Sequence, residues 1–338
     1  MSSSANALVM REINVKLVRR ALRRKGQATK QQIAEATGLS TVTVATVLQK
    51  LIEENAAFDD GFVASMGGRP AQLFRFNENH SHVLVLFTYE QDGADMLHVR
   101  VANLNGVPVY AVDAPLTEIG LHTFEPAIDA GLAAYDSIRA IGFGLPGVEL
   151  GGRILGMDYP ALAGTAFADH YQVRYGLPVI VENDVNAASV GYYSRNPLEM
   201  DAAALYLYFP QKYPPGGGIT LDGRLYKGYS NYAGEVASMP LGIDWHEPTL
   251  YTSYDRICEA ITTLIGAISL LLNPHRVVLY GAFLTDAHLN EIERRCTARQ
   301  PVNSVPQLSL TADFTLDYQQ GIIEEALALL EPQMPSFR

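Results

Sequence analysis

The chain has 338 residues, with 25 Lys+Arg against 36 Asp+Glu for a net charge of −11, 48% hydrophobic and 18% charged residues. That length and balance suit a globular protein with room for a small domain and a larger body, and no apolar run approaches the roughly 18 residues of a membrane span. The start, MSSSANALVMREINVK, lacks the basic, apolar and small-residue order of a secretory signal, which predicts a cytoplasmic protein; Cys258 and Cys296, without CxxC spacing, read as buried thiols.

The charge is segregated. Residues 1–80 hold 11 Lys+Arg against 7 Asp+Glu, and the rest of the chain holds 14 against 29. A net +4 head on a net −15 body suits contact with phosphate at one end only.

From Met10 to Lys25, Ile13, Leu17, Val18, Ala21 and Leu22 recur on one helical face, with Arg11, Lys16, Arg19, Arg20, Arg23 and Arg24 elsewhere. Two short helices follow within Gly26–Phe58. Ile33, Ala34 and Leu39 mark the apolar side of the first, and Val42, Val44, Val47, Leu48, Leu51 and Ile52 that of the second. Gly38 supplies the positive φ of the turn between them, and Ser40 or Thr41 caps the second helix. Thr41, Thr43 and Thr46 lie off the apolar stripe, where short polar side chains suit a helix in the major groove; a plain helical hairpin with a solvated threonine face is the alternative. Asp60-Gly61 between apolar residues signals a hairpin, and Gln72–Asn77 alternates like a strand. Arg69, beside Pro70 and after Gly67-Gly68, suits the narrow minor groove, or is a solvated arginine in an interdomain turn.

Beyond residue 80, apolar runs of strand type occupy Val83–Phe87, Leu97–Asn103, Ala140–Gly144, Val179–Val181, Ala203–Tyr208 and Val277–Tyr280, with helical stretches such as Tyr254–Leu272 and Gly321–Leu330 among them. This alternation predicts layered α/β packing.

The order helix, helix-turn-helix, wing and GGRPAQLFRFN resembles the amino-terminal half of ROK family transcriptional repressors. Downstream, IGFGLPG (Ile141–Gly147), LPVIVENDVNAASVG (Leu177–Gly191), GGGITLDGRLYKGYSNYAGEVASM (Gly216–Met239) and VVLYGAF (Val277–Phe283) follow in the family's order. The resemblance implies an α/β fold: a winged helix-turn-helix over residues 1–78, then a two-lobed actin-like (ribonuclease H-like) body over 79–338. Lobe 1 would cover about 79–192 plus the C-terminal helix, and lobe 2 about 193–315.

Kinases of this family hold ATP phosphates on glycine-rich loops. The first is absent from LVLFTYEQDGADMLHVRVANLNG, Pro214-Pro215 precede the glycines of the second, and the adenosine-side motif reads Tyr280-Gly281. We therefore expect neither kinase activity nor a cofactor. The acceptor side is retained: Asp184 falls at the family's catalytic base, Asn183 beside it suits adjacent sugar hydroxyls, and Glu235 matches a further sugar contact. Without the resemblance, Asn183 and Asp184 would read as helix caps. Ser238 stands where the family has a histidine shared by sugar and zinc, and Leu241–Arg256 has no cysteine beside His246, so no zinc is expected.

By this resemblance the chain is a repressor of carbohydrate-related genes. It would act on a double-stranded DNA operator as a homodimer or dimer of dimers, with a sugar or sugar-phosphate effector and no membrane. Lys16, Arg19, Arg20 and Lys30 would meet phosphates, Ser40, Thr41, Thr43 and Thr46 the major groove, and Arg69 the minor groove. The alternatives are a carbohydrate kinase with an appended reader, and a regulator that answers to a protein partner.

Overall fold

The computed structural model describes residues 2–63, 70–91, 94–157, 159–199, 202–210, 213–301 and 304–330. The chain divides into two compact units: residues 1–82 with the 103–107 turn, and the remainder. Among the described residues no helix is long and apolar enough to cross a membrane.

In the first unit α1 (Ser2–Lys25) is followed by β1 (Gln27–Thr29), α2 (Lys30–Thr37), α3 (Thr41–Glu53), β2 (Ala57–Val63) and β3 (Ala71–Phe76). The helices bury Val18, Leu22, Ile33, Val44, Leu48 and Leu51 against Phe74 and Phe76 of a three-stranded sheet ordered β1-β3-β2. Helix α2 starts on a capping box in which the Thr29 hydroxyl accepts the Gln32 amide and the Gln32 side chain accepts the Thr29 amide. It ends at Gly38 with φ 71°, the turn expected from the sequence. The Ser40 hydroxyl then accepts the Thr43 amide at 3.1 Å and starts α3.

Three local expectations are corrected. Val42 belongs not to the apolar stripe but to the surface, at 75% exposure, because α3 turns its Val44–Val47–Leu51 side inward. Asp60-Gly61 is not a hairpin turn. Strand β2 runs through it with a bulge between Asp59 and Phe62; Gly61 takes φ 83°, and the Asp59 carboxylate accepts the Gly61 amide. Helix α1 begins at Ser2, eight residues before the amphipathic pattern does. Arg69 and the rest of Ser65–Gly68 lie outside the described residues.

The second unit begins with β4 (His82–Gln91), β5 (Ala94–Asn103), β6 (Pro108–Pro115), α4 (Glu125–Ala134) and β7 (Ile138–Leu145). The hairpin β8 (Gly147–Leu150) and β9 (Arg153–Met157) leads to α5 (Phe167–Tyr175), β10 (Val179–Asn183) and α6 (Asp184–Arg195). Then come β11 (Ala203–Tyr208), β12 (Gly216–Leu221), β13 (Arg224–Leu225), α7 (Pro248–Thr252) and α8 (Tyr254–Leu272). The chain closes with β14 (Arg276–Tyr280), α9 (Asp286–Arg299), β15 (Gln307–Leu310) and α10 (Phe314–Ala328).

Two five-stranded mixed sheets result, ordered β10-β7-β4-β5-β6 and β13-β12-β11-β14-β15. The apolar runs read from the sequence fall within β4, β5, β7, β10, β11 and β14, and the α/β class holds. Helix α8 packs Ile257, Ile261, Leu264, Ile265 and Ile268 into the core of the second sheet.

Helices α6 and α10 cross with their backbones in contact. A Cβ on Gly321 would stand 1.7 Å from the Ala187 carbonyl oxygen, and one on Gly191 1.9 Å from that of Asp317. Only glycine fits at either point. Asp317, fully buried on α10, accepts hydrogen bonds from Tyr206 and Thr311 at 2.9 and 2.8 Å and pairs with Arg195 at the end of α6. Burial pushes its pKa up in spite of these partners.

Candidate functional site

A cavity of about 1150 Å³ opens in the second unit, where the carboxyl ends of β7 and β10 and the start of α6 face the ends of β11 and β14 and the 227–237 segment. Asn183, Asp184 and Glu235, assigned from separate motifs, all line it.

Each has a local cause. Strand β10 runs parallel to β7 and ends at Asn183, whose Oδ1 accepts the amides of Val185 and Asn186 at 3.0 and 3.1 Å. Its Nδ2 donates to the Gly147 carbonyl at 3.2 Å. Asn183 is thus the N-cap of α6, the role its position alone suggested, and it keeps one N–H outside these bonds. Asp184 follows, half-buried on the first turn, where the helix dipole favours a carboxylate. Glu235 is half-buried just after Gly234, and burial raises its pKa. Gly234 takes φ 100°, and a Cβ there would lie 1.9 Å from the Gly217 carbonyl, which fixes how closely this segment approaches β12.

Two further groups were not anticipated. Glu182 is buried with Oε1 accepting the Asn183 amide at 3.0 Å and the Asn186 side chain at 3.2 Å, while its other oxygen pairs with Lys227. Nothing in the sequence links these residues, which are joined only when the 227 segment folds over β10. The second group is aromatic. Phe314 stacks on Tyr208 with ring centres 4.1 Å apart and on Tyr280 at 5.6 Å, with Tyr89 6.2 Å away. This panel occupies the side of the cavity nearest the glycine-containing motifs. Gly216–Gly218 are not a loop with free amides: they form β12, paired antiparallel with Leu207 and Tyr206, and the Gly217 amide donates to the Gly234 carbonyl at 2.8 Å. Gly218 is required by packing, since a Cβ would come 2.6 Å from that of Ser189 on α6. Ser238 is exposed and shares a hydrogen bond with Tyr232.

Among the described lining residues, Asp95, Glu149, Glu182, Asp184 and Glu235 are acidic and Lys227 is the one base. Lys227 is committed to Glu182.

In the first unit, Ser40, Thr41 and Thr46 are exposed and Lys30 and Thr43 half-buried. Ser40 and Thr43 share a hydrogen bond at 2.9 Å, and the Thr46 hydroxyl donates to the Val42 carbonyl at 3.1 Å. Three of the four hydroxyls are therefore engaged by α3 itself. What faces outward is Thr41, the Val42 side chain and the methyl side of Thr46. Lys30 holds its ammonium 5.4 Å from the centre of the Phe74 ring.

No model of a known protein family matches the chain. It is 23% identical over 242 residues to the xylose repressor of Caldicellulosiruptor bescii, an alignment covering 68% of this chain and 59% of that protein's length. It shares its fold with a ROK family transcriptional regulator homologous to the E. coli MLC protein, at a TM-score of 0.71 and 17% identity, over 95% of this chain and 97% of that one. A ROK hexokinase from Thermus thermophilus superimposes at a TM-score of 0.58 and 17% identity, over 74% of this chain and 99% of that one.

Proposed function

We propose that this chain, a ROK-type relative of the xylose repressors, is a sugar-responsive transcriptional repressor. Its first unit would be a winged helix-turn-helix that reads operator DNA, and its second would bind the effector in the cavity. The observation that carries this is the convergence of Asn183, Asp184 and Glu235 on one cavity whose other side is walled by Tyr208, Tyr280 and Phe314. Carboxylate and amide groups beside apolar walls suit hydroxyls, and aromatic rings suit the C–H faces of a sugar.

The charge of the cavity refines the effector. With Lys227 paired to Glu182, the four other carboxylates repel a phosphate monoester, so a neutral sugar is favoured over a sugar phosphate. The relative's name makes a pentose such as xylose the first compound to try. With the glycines of 216–218 engaged in β12, ATP phosphates find few free amides there, which favours a binding protein over a kinase. The kinase reading draws its support from the hexokinase fold and from Asp184 at the cavity, and it predicts ADP release in a coupled assay across a sugar panel.

On the DNA side, α3 would enter the major groove with Thr41 and Val42 foremost, Val42 suiting a thymine methyl. Lys16, Arg19, Arg20 and Lys30 would contact phosphates, Arg69 the minor groove, and a dimer or dimer of dimers would span a two-fold operator.

The test is binding of the full chain to DNA from upstream of its own gene, against scrambled competitor, with and without sugars. Competitor-resistant binding released by a neutral sugar supports the reading, and Asp184→Ala should abolish release while leaving sugar-free binding unchanged. Operator affinity altered in Asp184→Ala without sugar would remove the separation of roles, and ADP formation would favour the kinase.

A further inference from the structure

Away from the cavity, three side chains with metal-binding donors meet on the first sheet's helical side. His122 lies three residues before Glu125, the first residue of α4, and His170 lies on α5. The His122 Nδ1 is 2.7 Å from Glu125 Oε1, and the His170 Nε2 is 2.9 Å from the same oxygen. All three donor atoms lie within 4.8 Å of one another, and the two rings meet edge to face at 5.0 Å. None of the three lines the cavity.

Two imidazoles aimed at one carboxylate oxygen is an unusual use of histidine for stability alone, since His122 is 72% exposed and gains little from a solvated hydrogen bond. The packing that creates the cluster is firm. The Tyr171 hydroxyl donates to the Leu121 carbonyl at 2.6 Å, and the Tyr175 hydroxyl donates to Asp129 at 2.8 Å, so the part of α5 that follows His170 is tied both to the segment before α4 and to α4 itself. The second oxygen of Glu125 lies 3.4 Å from Arg174, which also approaches Asp129 at 3.7 Å.

We propose that His122, Glu125 and His170 form a binding site for a divalent transition-metal ion of the zinc class. Two imidazoles and a carboxylate select such an ion over calcium or magnesium, which prefer oxygen alone. Metal–ligand bonds of about 2.0–2.2 Å set tetrahedral ligands roughly 3.4 Å apart. Each nitrogen must therefore part from Oε1 by about half an ångström, which rotation of the exposed His122 side chain and a small shift of the Glu125 carboxylate supply. On binding, the nitrogen facing Glu125 must offer its lone pair, so in each neutral ring the proton moves by way of solvent to the other ring nitrogen, and any imidazolium releases one proton to solvent. Water takes the fourth position on the open side, and Arg174 becomes the outer partner that orients the carboxylate. The ion would join α4 to α5 across the 45 residues that separate Glu125 from His170. The site is separate from segment 241–256, where the sequence offered too few ligands for zinc.

The test uses the full chain stripped with a chelator and titrated with Zn²⁺ by calorimetry, and with Co²⁺ by visible absorption. Wild type is expected to bind one ion, with a Co²⁺ spectrum of mixed nitrogen and oxygen ligation. His122→Ala, at an exposed position that cannot unfold the chain, and His170→Gln should each weaken binding beyond the about 10–100-fold that loss of an outer partner costs, and Arg174→Gln should fall within that range. Absence of stoichiometric binding to wild type, or binding by His122→Ala and His170→Gln as tight as that of wild type, would overturn the proposal.

Discussion

The crossing of α6 and α10 makes a prediction with a built-in control. In Gly321→Ala the new methyl carbon would start 1.7 Å from the Ala187 carbonyl oxygen. Such a contact relaxes only near 3.3 Å, so the helices must part by about 1.5 Å. The obstacle is backbone, and no rotamer change relieves it. Parting two packed helices by this much forfeits a quarter to a half or more of the dispersion along the seam, and we expect a loss at the upper end of overpacking, about 3 kcal/mol. For a unit of this size that lowers the melting temperature by roughly 6–12 °C. Gly266→Ala, in the middle of α8, is the control: its Cβ would meet nothing closer than 3.9 Å. There the same change should stabilise by about 0.5–1 kcal/mol through helix propensity. Melting curves by circular dichroism decide the matter. If Gly321→Ala melted within about 2 °C of wild type, the close crossing would not exist as described.

Three more predictions rest on single sites. Asp317→Asn removes the pairing with Arg195 and should cost about 1–3 kcal/mol in denaturant unfolding, at the lower end because Arg195 still reaches water. Asn183→Ala strips the cap from α6 and should lose about 0.5–2 kcal/mol, with sugar response weakened in the same variant; a stable variant with normal response would remove Asn183 from both roles. Sugar affinity should fall as pH drops toward the raised Glu235 pKa, because the carboxylate that accepts hydroxyls becomes protonated; isothermal titration of wild type and Glu235→Gln checks this, the variant being expected to bind weakly with no such pH dependence.

Much of the body was legible because buried strands are continuous apolar runs, and α8 carries its period from Tyr254 to Leu272 without interruption. The turn at Gly38 was equally plain, since only a residue at ease with positive φ fits there. Val42 was misplaced because it sits one step from the true stripe, and periodicity alone cannot tell the rim of a buried face from its centre. Asp60-Gly61 deceived because the same positive φ that makes a tight turn also makes a bulge, and the partner strand decides between them. At the candidate site, Asn183, Asp184 and Glu235 were found through motif resemblance. The Glu182–Lys227 pair and the aromatic panel were not, because their members come from segments that only tertiary packing joins.

Helix α6 has its two ends in different surroundings. Asn183 and Asp184 sit at the cavity, and Arg195 grips Asp317 on α10 at the opposite end. Twelve helical residues span about 18 Å, and a helix resists compression along its axis far better than loops resist bending. Between those ends it lies against α10 along the glycine-lined seam. If the proposed effector displaces Asp184, that displacement would be carried along the helix axis to Arg195 and the seam with α10, with no further element needed between the cavity and that pair.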